Sequence, residues 1–84
     1  MTAEEMFNAL GYFKDEDNEY SIIYKKEMCF PGDKKPNVLK ILFNRKWKQV
    51  FAIDFGILGA EHGFSFDYAE IKAVNKQIEE LEGE

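Results

Sequence analysis

Apolar residues near the C-terminus recur at spacings of three and four positions, as on one face of an α-helix. They are Ile71, Val74, Ile78 and Leu81. Asp67 and Glu70 have the spacing of a capping box, in which each side chain binds the backbone N–H of the other residue, and Gly83 is a typical helix stop. The pattern predicts one long amphipathic helix within residues 66–82. Because an isolated helix of this length is marginal in water, its apolar stripe should pack on a sheet.

The N-terminal residues predict a second, shorter helix. Thr2 and Glu5 repeat the capping-box spacing, an apolar stripe follows over residues 3–10, and Gly11 is well placed to end the helix. The polar residues 14–19 then predict a turn.

Three stretches rich in β-branched and aromatic residues predict strands. They cover residues 20–28, 38–43 and 47–55. The short connection over 44–46 predicts an antiparallel hairpin between the second and third strands. Proline and glycine predict loops over 30–37 and 56–63, and residues 64–66 can add a short fourth strand.

These elements predict a single α+β domain over residues 1–84. A short N-terminal helix should precede a three- to four-stranded antiparallel meander, with the C-terminal helix packed on one sheet face. The alternation in the second strand places Leu39, Ile41 and Phe43 on the core side. The full predicted core is Phe7, Leu10, Ile22, Ile41, Phe43, Phe51, Ile71, Val74, Ile78 and Leu81.

Charge is unevenly distributed along the 84 residues. The formal net charge is −5, but residues 25–48 hold eight basic and two acidic residues, for +6, and the rest holds three basic and fourteen acidic residues, for −11. An acidic total argues against general adhesion to nucleic acid or to anionic membranes, while a local basic patch can still bind phosphate.

Candidate catalytic and metal-binding residues are isolated in the sequence. Cys29 is the single cysteine and His62 the single histidine, so neither a disulfide nor a Cys/His zinc site is expected. The acidic run over 15–19 has Tyr20 where a calcium loop requires glycine, and the GxxG at 56–59 lacks supporting lysines. We therefore predict no enzymatic activity, no metal and no cofactor.

The chain also lacks the marks of membrane targeting. The first five residues are acidic rather than basic, and no stretch approaches the roughly 18 apolar residues of a membrane span. We expect a cytoplasmic protein with no membrane partner.

The two ends of the chain resemble a group of short proteins encoded in phages and prophages of Gram-positive bacteria. The resemblance rests on Glu5-Met6-Phe7 with Leu10-Gly11-Tyr12, and on the run over 70–81, EIKAVNKQIEEL. Members of this group often end on Gly-Trp, where this chain has Glu82-Gly83-Glu84. No activity is established for the group, so the resemblance implies only an accessory phage protein that acts in a host cytosol.

Two functions compete at this level. The leading hypothesis is a non-enzymatic accessory protein that binds a host or phage protein through its acidic surface. The alternative is a small nucleic-acid-binding module, in which basic side chains hold phosphates while a base stacks on an indole. Its candidate residues are Lys34, Lys35, Arg45, Lys46, Trp47 and Lys48. A simpler interpretation of Trp47 is that it covers one end of the core. A self-associating structural protein is a third class, and the aromatic content favours it.

Overall fold

The computed structural model describes residues 1–28, 37–55 and 66–84, which form two helices and four strands. In chain order the elements are α1 (Ala3–Ala9), β1 (Phe13–Asp17), β2 (Ser21–Met28), β3 (Asn37–Asn44), β4 (Gln49–Phe55) and α2 (Tyr68–Glu82). Helices packed on an antiparallel sheet confirm the predicted α+β class. The loop predicted over 56–63, most of the loop predicted over 30–37, and residues 64 and 65 of the short strand lie outside the described residues.

Both predicted capping boxes are present. In α1, the Glu5 N–H donates to Thr2 Oγ1 at 3.2 Å and the Thr2 N–H donates to Glu5 Oε1 at 2.9 Å. In α2, the Glu70 N–H donates to Asp67 Oδ1 at 2.8 Å and the Asp67 N–H donates to Glu70 Oε1 at 3.1 Å. Gly11 follows α1 with φ +93°, the left-handed conformation that favours glycine after a helix.

The four strands form an antiparallel meander in the order β1-β2-β3-β4. The prediction of a polar turn over 14–19 is wrong, because most of these residues form β1. An edge strand can be polar on both faces, and β1 also has a bulge between Lys14 and Glu16. The true turn is short: Asn18 Oδ1 accepts the N–H groups of Tyr20 and Ser21.

The predicted start of the third strand is also corrected. β4 begins at Gln49, and Trp47 lies in the turn over 45–48 with 64% of its surface exposed. Trp47 therefore does not cover the core. Two local features keep it in the turn: Asn44 Oδ1 accepts the Trp47 N–H at 2.8 Å, and Lys48 has φ +52°.

The core is an aromatic cluster between α1 and the two central strands. The Phe7 ring stacks on the Tyr24 ring with centroids 4.0 Å apart, and Phe43 meets both rings edge-on at 6.1 Å. The buried apolar residues are Ala3, Phe7, Tyr12, Ile22, Tyr24, Leu39, Ile41, Phe43 and Ala73. Leu10, Val74, Ile78 and Leu81 pack partly buried against them.

Two residues of the predicted core are exposed. Phe51 pairs with Leu42, whose chain neighbours in β3 face the helices, so Phe51 lies on the other side of the sheet. Ile71 is exposed because Ala73 and Gln77 are the residues that α2 buries. Gln77 is polar and lies outside the apolar stripe of α2, yet it is buried and its Oε1 accepts a hydrogen bond from the Tyr24 hydroxyl at 2.7 Å.

Candidate functional site

Among residues 1–28, 37–55 and 66–84, the helices cover one face of the sheet and no element covers the other. Ile22, Tyr24, Leu39, Ile41 and Phe43 point into the core, so the residues that alternate with them point the opposite way. Cross-strand pairing aligns those residues in two rows. One row is Phe13, Lys25, Lys40 and Ile53, and the other is Glu16, Ile23, Leu42 and Phe51. We refer to these eight residues as the open face.

The open face is largely apolar. Phe13, Phe51 and Ile53 are 46%, 42% and 39% exposed, while Ile23 and Leu42 between them are half-buried. Contiguous exposed apolar side chains on a small domain commonly mark a surface that binds another molecule. Because these side chains come from all four strands, the whole width of the sheet contributes to the surface.

Two lysines and one glutamate, Glu16, are the charged residues of the open face. Lys25 and Lys40 are directly opposite each other on β2 and β3, and both are half-buried. Lys25 Nζ lies over the Phe13 ring, 6.0 Å from its centre, at the distance of a cation–π contact. Glu16 in the neighbouring row offsets part of the lysine charge, and Lys40 has an interaction of its own within the chain. The open face therefore suits a partner surface that presents apolar side chains.

β4 is exposed on the helix side of the sheet as well. We refer to α1 and α2 together as the helix layer. Val50 alternates with Phe51 and so points towards the helix layer, yet 41% of its surface is exposed. A groove of about 540 Å³ lies beside it, between the end of α2 and the start of β4. Its apolar lining is Phe43, Val50, Ile78 and Leu81. The helices thus cover β1 to β3 better than they cover β4.

The basic turn predicted from the sequence is only partly available for binding. Arg45 is held by its neighbours: Nε donates to the Asn18 carbonyl at 2.9 Å, Nη2 to Asp17 at 3.0 Å, and Nη1 to Glu84. Lys46 and Lys48 flank the exposed indole of Trp47, with Lys46 Nζ 5.9 Å from the ring centre. Lys34 and Lys35 lie outside the described residues. The turn therefore presents Lys46, Trp47 and Lys48 together.

Many acidic side chains of the helix layer have structural contacts. Ala3 N–H donates to Glu80 Oε2 at 2.7 Å, which joins the start of α1 to the end of α2. Glu4 pairs with Lys14 at 3.3 Å, and Glu70 accepts the Tyr12 hydroxyl at 2.5 Å in addition to its capping contacts. The hydrogen bonds from Thr2 hold the pKa of Glu5 below its usual value. These contacts give several carboxylates of the helix layer a structural role within the chain, so an external partner is not needed to explain their presence.

The two buried phenols act as structural hydrogen-bond donors. Burial raises the pKa of Tyr24 to about 12, and burial with the nearby Glu70 raises the pKa of Tyr12. Both phenols are therefore protonated at neutral pH. Within residues 1–28, 37–55 and 66–84 there is no cluster of three or more His, Cys, Asp or Glu side chains able to hold a metal ion. In the same residues no helix is long and apolar enough to cross a membrane.

Comparison with known proteins adds no relative: no protein-family model, curated protein or solved structure matches the chain. Sequence reasoning located the basic turn but missed the open face. The signal for it was present in the alternation of Phe51 and Ile53 with Val50 and Ala52, but the side of the sheet that the helices occupy was needed to interpret it.

Proposed function

We propose that this chain is a non-enzymatic protein-binding module whose working surface is the open face of the sheet. The observation that carries the proposal is the exposure of Phe13, Phe51 and Ile53 around the half-buried Ile23 and Leu42. Such a surface favours a partner that presents apolar side chains. The acidic surface proposed from the sequence, formed by the acidic residues outside 25–48, is less favoured because several of its carboxylates, among them Glu4, Glu70 and Glu80, already have partners within the chain.

The resemblance of the chain ends to short phage and prophage proteins supports an accessory role in an infected or lysogenic cell. In that setting the partner is a host or phage protein in the cytoplasm. Binding through a preformed face of the sheet requires no cofactor and no reaction.

Affinity capture from host lysate with matched variants tests this proposal. Phe13→Ser removes an exposed apolar side chain from the open face, whereas Ile71→Ser removes one of similar exposure (42%) from α2. We expect Phe13→Ser to reduce capture of the bound protein at least about tenfold, since an apolar anchor commonly contributes more than 1 kcal/mol to binding. Ile71→Ser should retain it.

Salt and nuclease identify the surface that is used. Binding through the open face should survive nuclease treatment and change little with salt, because apolar contacts are not screened. The opposite result would be that Ile71→Ser no longer captures the protein, that Phe13→Ser still does, and that capture weakens strongly with salt. In that case the acidic helix layer, and not the open face, would be the binding surface.

The exposed indole in the basic turn favours a second candidate, single-stranded nucleic acid. Trp47 with Lys46 and Lys48 can stack a base and hold a phosphate. For this function we expect Trp47→Ala to weaken binding of a labelled single-stranded oligonucleotide about tenfold in fluorescence anisotropy, since one stacked base contributes about 1–3 kcal/mol. Tyr68→Ala, which removes an exposed aromatic from α2, is the control. Equal binding by both variants, or none by the wild type, would eliminate this candidate.

A further inference from the structure

The two edges of the sheet differ in their ability to pair with another strand. β1 carries Lys14, Asp15, Glu16 and Asp17 in succession and contains a bulge, and charges and bulges are the usual protection of an edge strand. β4 has no charged residue over 49–53, and its register with β3 is unbroken. Within residues 1–28, 37–55 and 66–84, no strand pairs with the outer edge of β4.

The hydrogen-bonding pattern shows which backbone groups of β4 face outwards. The Arg45 N–H donates to the Tyr20 carbonyl at 2.9 Å, so Tyr20 and Arg45 are a hydrogen-bonded pair. Bonded and non-bonded pairs alternate along an antiparallel ladder, so Phe43 and Ile41 of β3 also bond to β2. It follows that Leu42 and Lys40 direct their N–H and C=O groups towards β4, where they bond to Phe51 and Ile53. The N–H and C=O groups of Val50, Ala52 and Asp54 therefore point away from β3.

We propose that two copies of this chain pair antiparallel along β4, about a two-fold axis at Ala52. In this register Ala52 bonds to Ala52 of the other copy, and Val50 bonds to Asp54 of the other copy. All three outward-facing residues of each strand are then satisfied, with about six backbone hydrogen bonds between the copies. The two four-stranded sheets become one continuous sheet.

Charge and overlap select this register. Centring the axis on Asp54 would place two aspartates directly opposite each other, which is destabilising. Centring it on Val50 would shorten the overlap of the two strands. Pairing β1 with its own copy would oppose its charged residues across an irregular ladder. A contact in which each copy offers the same surface is the commonest form of dimer.

The dimer would also bring apolar side chains of the two β4 strands together. Phe51 of one copy would lie beside Ile53 of the other, so these side chains contact each other at their edges while the joined open face remains exposed. The two-fold axis runs through the sheet, so the helices of both copies stay on one side and the two open faces join on the other. The proposal depends on the backbone of β4 and is independent of the partner that the open face binds.

Sedimentation equilibrium of the full chain tests the proposal, since the monomer mass is 9.8 kDa. We expect a reversible dimer of about twice that mass. Val50→Glu and Val50→Lys form a matched pair at one exposed position. In the dimer, residue 50 of each copy lies opposite Asp54 of the other. Val50→Glu would therefore place two negative residues opposite each other at both positions, whereas Val50→Lys would pair opposite charges, so we expect the dimer of Val50→Glu to be about tenfold weaker than that of Val50→Lys. Arg45, Lys48, Glu82 and Glu84 line the same groove as Val50, so the melting temperature of each variant is measured in dilute solution to separate monomer stability from dimerisation.

Ala52→Pro is the second variant, because proline removes an N–H that points away from β3. It should abolish the dimer while circular dichroism and the melting temperature of the monomer remain close to those of the wild type. A wild-type chain that is monomeric up to about 1 mM would overturn the proposal, and so would a dimer that survives Ala52→Pro. Strong destabilisation of the monomer by Ala52→Pro would also overturn it, since the edge would then be used within the chain.

Discussion

At the residue scale, Tyr24 is the centre of the fold. Its ring lies fully buried between Phe7 and Phe43, and its hydroxyl donates to Gln77 Oε1 at 2.7 Å. The hydrogen bond satisfies two buried polar groups that would otherwise be costly. It also fixes the rotation of α2, because Gln77 must face the sheet for the bond to form.

We predict strong coupling between Tyr24 and Gln77. Tyr24→Phe or Gln77→Leu alone should each lower the free energy of unfolding by about 1–3 kcal/mol, since one buried polar partner is left unsatisfied. The double variant should be less destabilised than the sum of the two. Urea denaturation of the four proteins measures this coupling, and additive effects would show that the hydrogen bond does not link α2 to the core.

The sequence did not reveal this pair because the two residues are 53 positions apart. Gln77 reads as polar surface in the helical pattern, and only the packing of α2 against both α1 and the sheet buries it. Ala73 was missed for a similar reason. A small side chain gives no apolar signal, although it lets two helices approach closely.

At the element scale, local signals were the ones that could be predicted from sequence. Both capping boxes depend on residues three positions apart, so their contacts could be inferred without knowing the fold. β1 could not be inferred, because FKDED has neither an apolar alternation nor β-branched residues. Its structure comes from backbone pairing with β2, which is a tertiary interaction.

We predict that the cap of α2 contributes measurably to stability. Asp67→Ala should lower the free energy of unfolding by about 1 kcal/mol, because a helix N–H loses its acceptor. Asp67→Ser, which retains an acceptor oxygen, should cost much less. Chemical denaturation compares the two, and equal losses would mean that the side-chain oxygen of Asp67 does not stabilise the helix.

At the scale of the whole molecule, the layers have different chemistry. The helix layer is acidic and internally hydrogen-bonded, whereas the open face is largely apolar, with Glu16, Lys25 and Lys40 as its charged residues. The number of charged residues along the chain identifies the acidic residues and the basic segment, but it does not show which face of the fold each one occupies. The same holds for apolar residues: Phe51 was predicted to be buried, but its pairing with Leu42 places it on the side of the sheet away from the helices.

The most direct test of the open face as the binding surface is an NMR titration of the labelled chain with the captured partner. We expect the amide signals of Ile23, Leu42 and Ile53 to shift or broaden, while those of Ile71 and Glu79 on the exposed side of α2 stay in place. Perturbation confined to α1 and α2, with the sheet unchanged, would contradict the account and assign binding to the acidic helix layer.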